Sequence, residues 1–190
     1  LAGATRAVLD QPVDGPLQTE ARPLLPLELA VALPKRDGEL VLRMACELGF
    51  DRLTPLKAER SVPGPFNSER CHLILREAVE QCERLWSPEL GALQSAGACL
   101  GQSPLGLGLL ATTRREGLPL LAAVLDQTGL PPGLGHGVVM AIGPEGGWSP
   151  EETAAASRQG VTNIKLGLRV LRTETAGLAL AAAATALLNW

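Results

Sequence analysis

The sequence predicts an α/β fold in which a mainly parallel sheet is flanked by helices. Short apolar runs typical of strands alternate with longer segments whose apolar residues recur at helical spacing, and this alternation is the pattern of a parallel α/β sheet. The run Val138–Ile142 is apolar throughout, which is typical of a strand covered on both faces. Two loops, at residues 143–152 and 166–176, each follow a predicted strand and precede a predicted helix.

The first two dozen residues differ in character from the rest of the chain. They are rich in Pro and Gly and lack periodicity, so residues 1–22 are interpreted as a linker with one strand at residues 7–9. The regular pattern that follows places the folded domain at residues 23–190.

The first regular elements are two strands with a helix between them. Residues 27–33 form a short apolar run that predicts a buried strand, and residues 52–56 predict the next. Asp37 can cap the intervening helix and Gly49 can end it. The helix is expected to present one apolar face, formed by Leu40, Val41, Met44, Ala45 and Leu48.

A longer helix is predicted to begin at Asn67 or Ser68 and to end before Pro88. Its buried stripe has helical spacing and comprises Cys71, Leu75, Ala78, Cys82 and Leu85. The polar residues on the other side are interpreted as an ordinary solvated face. Beyond this helix the alternation is regular: strands are expected at residues 105–111, 138–142 and 163–166, and helices at 118–128, from Ser149 onward, and at 173–189.

Composition excludes several classes of function. A net charge of −3 and an aromatic content of 3% argue against broad nonspecific binding of nucleic acid and against a stacking platform for bases. No apolar stretch is long enough to span a membrane. The four cysteines lack CxxC spacing and the two histidines lie far apart, so no metal site is expected. Free thiols fit a reducing compartment, which predicts a cytoplasmic location.

The loop at residues 143–152 is the first candidate site. Three glycines let its backbone turn sharply and approach a ligand closely. Ser149 at the N-cap, Pro150 in the first turn and Glu152 as the partner in a capping box specify where the next helix begins. The loop lacks the Gly-Lys-Ser/Thr of a phosphate-binding loop and the GxGxxG of a dinucleotide fold. The favoured interpretation is that the loop binds a cofactor through its backbone groups. The alternative is that the loop is a simple tight turn with no ligand.

The loop at residues 166–176 is the second candidate site. Arg169 and Arg172 place two cations near the start of the last helix, which Thr173 can cap, although the helix dipole disfavours cations there. The unfavourable interaction with the helix dipole suggests that the two arginines have a function, such as holding an RNA backbone or a developing negative charge. The alternative is that both side chains are simply solvated.

Both loops together resemble a known family. The stretch IGPEGGWSPEE followed by LGLRVLRTETA is similar to the signature of the RsmE-type methyltransferases, which act on uridine N3 of 16S ribosomal RNA within the SPOUT superfamily. Leu33-Pro34-Lys35, Glu47-Leu48-Gly49, Glu59-Arg60-Ser61-Val62, and Glu77-Ala78-Val79-Glu80-Gln81 with Arg84 match the same family in order and spacing. The resemblance covers about residues 27–190. The sequence departs from the family pattern at Leu168, Met44 and Cys71, where proline, lysine and tryptophan are usual.

The resemblance implies a C-terminal trefoil knot, a homodimer and S-adenosylmethionine as cofactor. It also implies that residues 1–22 end in the tail of a PUA-like RNA-binding domain that is mostly missing. The expected catalytic residues are Arg172, Glu174, Arg60 and Glu145, with Arg60 able to reach across a dimer interface. The expected cofactor-binding residues are Ala111, Thr112, Gly143, Pro144, Glu145, Gly146, Gly147, Leu166, Gly167, Leu171, Arg172 and Thr173. The last helix, with no charge after Glu174, independently predicts a dimer, because a helix that is apolar all round needs more than one partner.

Two other functions compete with this interpretation. A nucleotide-dependent dehydrogenase would need its Gly-rich loop after the first strand, whereas here that loop comes late in the chain. A catalytically inactive RNA-binding or ribosome-assembly module with the same fold would differ from the enzyme by failing to bind S-adenosylmethionine.

Overall fold

The computed structural model describes residues 21, 25–34, 36–62, 66–101, 106–113, 115–128 and 137–187. Over these residues the predicted α/β fold is confirmed: a parallel sheet is flanked by helices on both faces. The strand predicted at residues 7–9 and most of the linker predicted at 1–22 lie outside the described residues.

The described part of the sheet has seven strands, and all their pairings are parallel. The strands are β1 (Leu27–Val31), β2 (Arg52–Lys57), β3 (Glu89–Leu90), β4 (Gln94–Ser95), β5 (Leu107–Ala111), β6 (Val138–Ile142) and β7 (Thr162–Ile164). Their order across the sheet is β3-β2-β1-β6-β5-β7, with β4 also paired to β2. The helices are α1 (Gly38–Glu47), α2 (Ser68–Gln81), α3 (Ala96–Gly101), α4 (Leu121–Thr128), α5 (Pro150–Arg158) and α6 (Thr173–Leu187).

Helices cover both faces of the central strands. Because side chains alternate along a strand, Leu29 and Val31 of β1 and Met140 of β6 join the core shared with α1, α2, α4 and α6. Ala30 and Ala141 belong to the opposite core, shared with α3 and α5. This double coverage is why the central strands are continuous apolar runs, as predicted.

Helix α1 buries only part of the face predicted for it: Val41 and Ala45 are buried as expected, whereas Leu40 is exposed. Leu40 is 42% exposed, and the buried residues of the helix are Val41, Leu42, Ala45 and Cys46. The helix packs against both α2 and α6, so its buried arc is turned toward these two neighbours. Asp37 occupies the N-cap position, but at a φ of 60° its side chain makes no capping hydrogen bond, since such a cap requires an extended backbone.

Helix α2 begins as predicted and ends earlier. The side chain of Asn67 accepts a hydrogen bond from the Arg70 amide at 2.9 Å. The helix stops at Gln81, so Leu85 lies beyond it and is 46% exposed. The chain turns away because the Arg84 guanidinium donates to the carbonyl oxygens of Cys46 and Phe50 near the end of α1.

Several elements from residue 89 onward also differ from the prediction. The short elements β3, β4 and α3 were not predicted: two-residue strands carry no readable periodicity, and the six residues of α3 make fewer than two helical turns. Helix α4 begins at Leu121 rather than at residue 118, because the amide of Lys165 donates to the carbonyl oxygen of Pro119 and the amide of Leu121 donates to that of Lys165. None of the helices in the described parts of the chain has the length and apolar character needed to cross a membrane.

Candidate active site

A cavity of about 660 Å³ opens beyond the carboxyl ends of β5, β6 and β7. This is the edge at which open parallel sheets bind ligands. Three loops form its wall, and each of them directly follows one of these strands. All of the cofactor-binding residues expected from the sequence except Arg172 line it: Ala111, Thr112, Gly143, Pro144, Glu145, Gly146, Gly147, Leu166, Gly167, Leu171 and Thr173.

The Gly-rich loop, residues 143–148, is tied to the end of β5 by Trp148. The indole N–H of Trp148 donates to the carbonyl oxygen of Ala111 at 2.9 Å, and its ring lies against Gly143. A Cβ at Gly143 would stand 2.9 Å from the ring, so only glycine fits there without displacement. Gly147 has a φ of 70°, which glycine adopts without strain. These glycines therefore set the shape of the loop.

The capping box that follows this loop is present as predicted. The Ser149 hydroxyl accepts from the Glu152 amide at 3.1 Å, and Glu152 Oε2 accepts from the Ser149 amide at 2.9 Å. Pro150 begins α5. The start of α5, and with it the end of the Gly-rich loop, is fixed by local hydrogen bonds.

The loop after β7, residues 165–172, leads into Thr173, which binds the Gly-rich loop. The buried Thr173 hydroxyl donates to the carbonyl oxygen of Gly143 at 3.1 Å, so Thr173 does not cap α6 as predicted. The hydroxyl is used across two loops because Thr173 already lies within the helix and faces the cavity. Between β7 and α6 the loop projects outward, and Leu168 is 96% exposed.

The four expected catalytic residues do not meet at one point in a single chain. Arg60 and Glu145 line the cavity, whereas Arg172 and Glu174 do not. The Arg172 side chain is 84% exposed, and its Nη1 lies 3.9 Å from Oε1 of the largely buried Glu174 carboxylate. Thr173, between them, takes the inward position.

Arg60 lies at the cavity of its own chain. Its Nη1 donates to the carbonyl oxygen of Gly146 at 3.3 Å, and a Cβ on Gly146 would stand 3.0 Å from Arg60 Cβ. The expectation that Arg60 could reach across a dimer interface is therefore not needed to bring it to the site.

Sequence reasoning singled out Arg169 but missed Arg115 and Lys165, two further described cations in the cavity wall. Arg115, Lys165 and Arg169 line it together with Arg60, against the carboxylates of Glu116 and Glu145. Among the described residues, none of these four cations forms an ion pair. Residues 113–117 follow β5, and Lys165 follows β7. The rule that ligands bind beyond the carboxyl ends of strands would have identified both positions if it had been applied a few residues further.

Two buried cysteines, Cys46 and Cys99, are not activated nucleophiles. Burial raises the pKa of the Cys99 thiol to about 12 and that of Cys46 to about 11, so both stay protonated near neutral pH. Nor do the described residues contain a cluster of His, Cys, Asp and Glu that could hold a metal ion.

Comparison with known proteins shows which family the chain resembles. The sequence pattern of the RNA methyltransferase domain family matches residues 20–185. The ribosomal RNA small subunit methyltransferase E of Synechocystis is 39% identical over 170 residues, covering 87% of this chain and 54% of that protein. The chain thus spans about half the length of this relative.

Two solved structures share the fold. The ribosomal RNA small subunit methyltransferase E of Neisseria gonorrhoeae, bound to S-adenosylmethionine, superimposes with a TM-score of 0.71 and 27% identity, covering 86% of this chain and 66% of that one. A Legionella pneumophila structure with bound S-adenosylmethionine has a TM-score of 0.74 and 31% identity, covering 85% and 66% of the two chains. With a family match over most of its length, this chain belongs to the RNA methyltransferase domain family.

Proposed function

We propose that this chain is an S-adenosylmethionine-dependent methyltransferase that methylates N3 of a uridine in the 16S RNA of the small ribosomal subunit. The observation that carries the proposal is the cavity beyond β5, β6 and β7, whose wall is made of the three loops that the sequence marked for cofactor binding. The relatives described above point to the same activity.

The residues of the cavity fit S-adenosylmethionine. A volume of about 660 Å³ lies within the usual range for pockets that hold a ligand of this size. The glycines of the Gly-rich loop leave backbone groups accessible to an adenine, and Ile142 and Leu171 supply apolar wall. Glu145 can accept hydrogen bonds from ribose hydroxyls, and Lys165 can bind a carboxylate. Bound there, the cofactor would supply an activated methyl group.

Methylation of uridine N3 also requires a group that accepts the N3 proton. A carboxylate is a suitable acceptor, and Glu145 at the cavity and Glu174 beside it are the two candidates. Arg172 would stabilise the negative charge that develops on the pyrimidine carbonyl oxygens as that proton leaves. Its side chain is exposed next to Leu171 and Thr173, which line the cavity, and this exposure leaves it accessible to a substrate.

The cations around the cavity suit a polyanionic substrate. The whole chain has a net charge of −3, yet among the described residues of the cavity wall four of the six charged side chains are cations. Such a local concentration of unpaired positive charge attracts phosphate groups although the protein as a whole is acidic. We infer that Arg60, Arg115 and Arg169 contact phosphates of the RNA strand that carries the uridine, while Lys165 binds the cofactor carboxylate.

We also propose a homodimer that uses the outer side of α6. Gly177, Leu180, Ala181 and Ala184 of this helix are buried within the chain, whereas Ala182 and Ala186 are exposed and Leu187 is 45% exposed. A second copy would cover this uncharged strip and bury the same patch on each chain.

The family resemblance supports three further proposals, on a knot, on the domain bounds and on the cellular location. We propose a trefoil knot in which residues 166–172 lead the chain through an earlier loop, since α6 returns from the β7 edge to pack on α1 and β1 in the middle of the sheet. Residues 1–22 are proposed as a linker and PUA-like tail, and residues 23–190 as the methyltransferase domain. A cytoplasmic location would keep the thiols reduced and bring the protein to its ribosomal substrate.

Two measurements test the proposed function. Titration calorimetry with S-adenosylmethionine should show binding. Incubation with small subunits from a strain that lacks this modification, followed by nucleoside mass spectrometry, should show N3-methyluridine. Binding without methylation of any nucleoside would refute the proposed activity, and loss of both would favour the inactive RNA-binding module.

A further inference from the structure

We propose that Glu152 is a positioning residue that holds the turn carrying Arg60 against the Gly-rich loop. The inference rests on the proposed function, because it gives Arg60 its purpose at the cavity. Glu152 itself does not line the cavity.

Glu152 uses its two carboxylate oxygens on two separate segments. Oε2 accepts from the Ser149 amide at 2.9 Å and completes the capping box of α5. Oε1 accepts from the Glu59 amide at 2.9 Å, although the two residues stand 93 positions apart in the sequence. A capping box needs only the first of these bonds. The second has no part in starting the helix and joins the chain after β2 to the start of α5.

The segment that Glu152 holds is a compact turn. The amide of Ser61 donates to the carbonyl oxygen of Ala58 at 3.1 Å, and the Ser61 hydroxyl accepts from the Ala58 amide at 3.0 Å. Both bonds close the turn on itself, and its first residue, Ala58, is anchored because Ala58 is buried in the core shared with α3 and α5. The bond from Glu59 to Glu152 adds a tie from the exposed part of the turn to the start of α5.

Arg60 follows directly in this turn and packs along Gly146. The guanidinium donates to the Gly146 carbonyl oxygen, and the Cβ of Arg60 approaches Gly146 so closely that a side chain there would crowd it. Arg60 is itself an exposed residue of the turn, so its own contacts hold it weakly. The bond from the Glu59 amide to the Glu152 carboxylate, one residue away, restricts the backbone from which the guanidinium reaches the cavity. A hydrogen bond to a charged carboxylate is stronger than one between neutral groups.

Four variants of the 190-residue chain separate positioning from helix capping. Glu152→Ala removes both bonds, and Glu152→Gln keeps a single acceptor oxygen for the two donors. Ser149→Ala is the matched control, because it weakens the same cap and leaves the bond to Glu59 intact. Arg60→Ala removes the side chain that is to be positioned.

The first readout is amide hydrogen exchange at Glu59, followed by NMR, which needs neither cofactor nor substrate. Exchange should be about tenfold faster or more in Glu152→Ala, intermediate in Glu152→Gln and near wild type in Ser149→Ala. Unchanged exchange in Glu152→Ala, or an equal rise in Ser149→Ala, would overturn the inference.

The second readout is kcat for methyl transfer to small subunits, compared in a double-mutant cycle. Glu152→Ala should lower kcat in the wild-type background and have no further effect in the Arg60→Ala background, while Ser149→Ala should lower kcat by a smaller factor than Glu152→Ala. Independent, multiplying losses would show that Glu152 does not act through Arg60. A wild-type chain without methyl transfer would refute the proposed function instead, and the exchange measurement would still decide whether Glu152 holds the turn.

Discussion

Replacing Gly143 by alanine tests how the cavity is built. The added Cβ would lie 2.9 Å from Cε2 of the Trp148 ring, with two further ring atoms at 3.1 and 3.2 Å. Trp148 is only 8% exposed and is packed in the core shared with α3 and α5, so the ring has little room to move. Overpacking of this kind costs about 1–3 kcal/mol.

The displaced ring would also strain a hydrogen bond. The Trp148 indole donates to the carbonyl oxygen of Ala111, and losing such a bond costs about 1 kcal/mol. We therefore expect Gly143→Ala to lower the free energy of unfolding by about 2–4 kcal/mol. The affinity for S-adenosylmethionine should fall by about tenfold or more, because Gly143 also joins the Gly-rich loop to Thr173.

Urea unfolding followed by circular dichroism measures the first effect, and calorimetry measures the second. Gly97→Ala is the matched control, because Gly97 lies exposed in α3 and a Cβ there would meet open space. Alanine at this position should raise the free energy of unfolding by about 0.5–1 kcal/mol, because alanine has the higher helix propensity. A Gly143→Ala chain whose stability and cofactor affinity both equal those of wild type would refute the argument from close packing.

Three further predictions concern other parts of the site and the surface. Thr173→Val should cost about 1–2 kcal/mol of stability in urea unfolding and weaken cofactor binding, because the buried carbonyl oxygen of Gly143 loses its donor; unchanged binding would separate the two loops functionally. Arg172→Ala should lower kcat far more than it changes the Kd of S-adenosylmethionine, since its proposed partner is charge that develops during the reaction, and equal losses would indicate cofactor binding instead. Ala182→Glu should convert a dimer to a monomer in analytical ultracentrifugation at micromolar concentration without loss of stability, because Ala182 is exposed in the single chain; a wild-type chain that is already monomeric would exclude the α6 interface.

Local sequence patterns were sufficient for the features that depend on neighbouring residues. The capping box at Ser149 and Glu152 and the start of α2 at Asn67 require partners within three positions, and both are present as predicted. The strand Val138–Ile142 was recognised because it is apolar on both faces. The cavity could be placed because its loops follow parallel strands.

Other features depended on partners far away along the chain. The buried face of α1 turned away from Leu40 because α2 and α6 lie beside it. After the early end of α2, Arg84 donates to the carbonyl oxygens of Cys46 in α1 and of Phe50 just beyond it. No periodicity within either helix encodes these contacts. The same reason explains why β3 and β4 escaped prediction: two-residue strands exist only because β2 is there to pair with them.

The sequence by itself determined the parallel α/β architecture, the three loops at one edge of the sheet and the family to which the motifs belong, because alternation, capping and glycine placement are local properties. Only the tertiary structure decided which side chains meet at that edge. In the folded chain Arg60, which follows β2, contacts Gly146 in the Gly-rich loop, and Thr173 turns inward to Gly143. Arg172 and Glu174 lie outside the cavity of a single chain. These contacts follow from strand order and helix packing, which bring together segments that are remote in sequence.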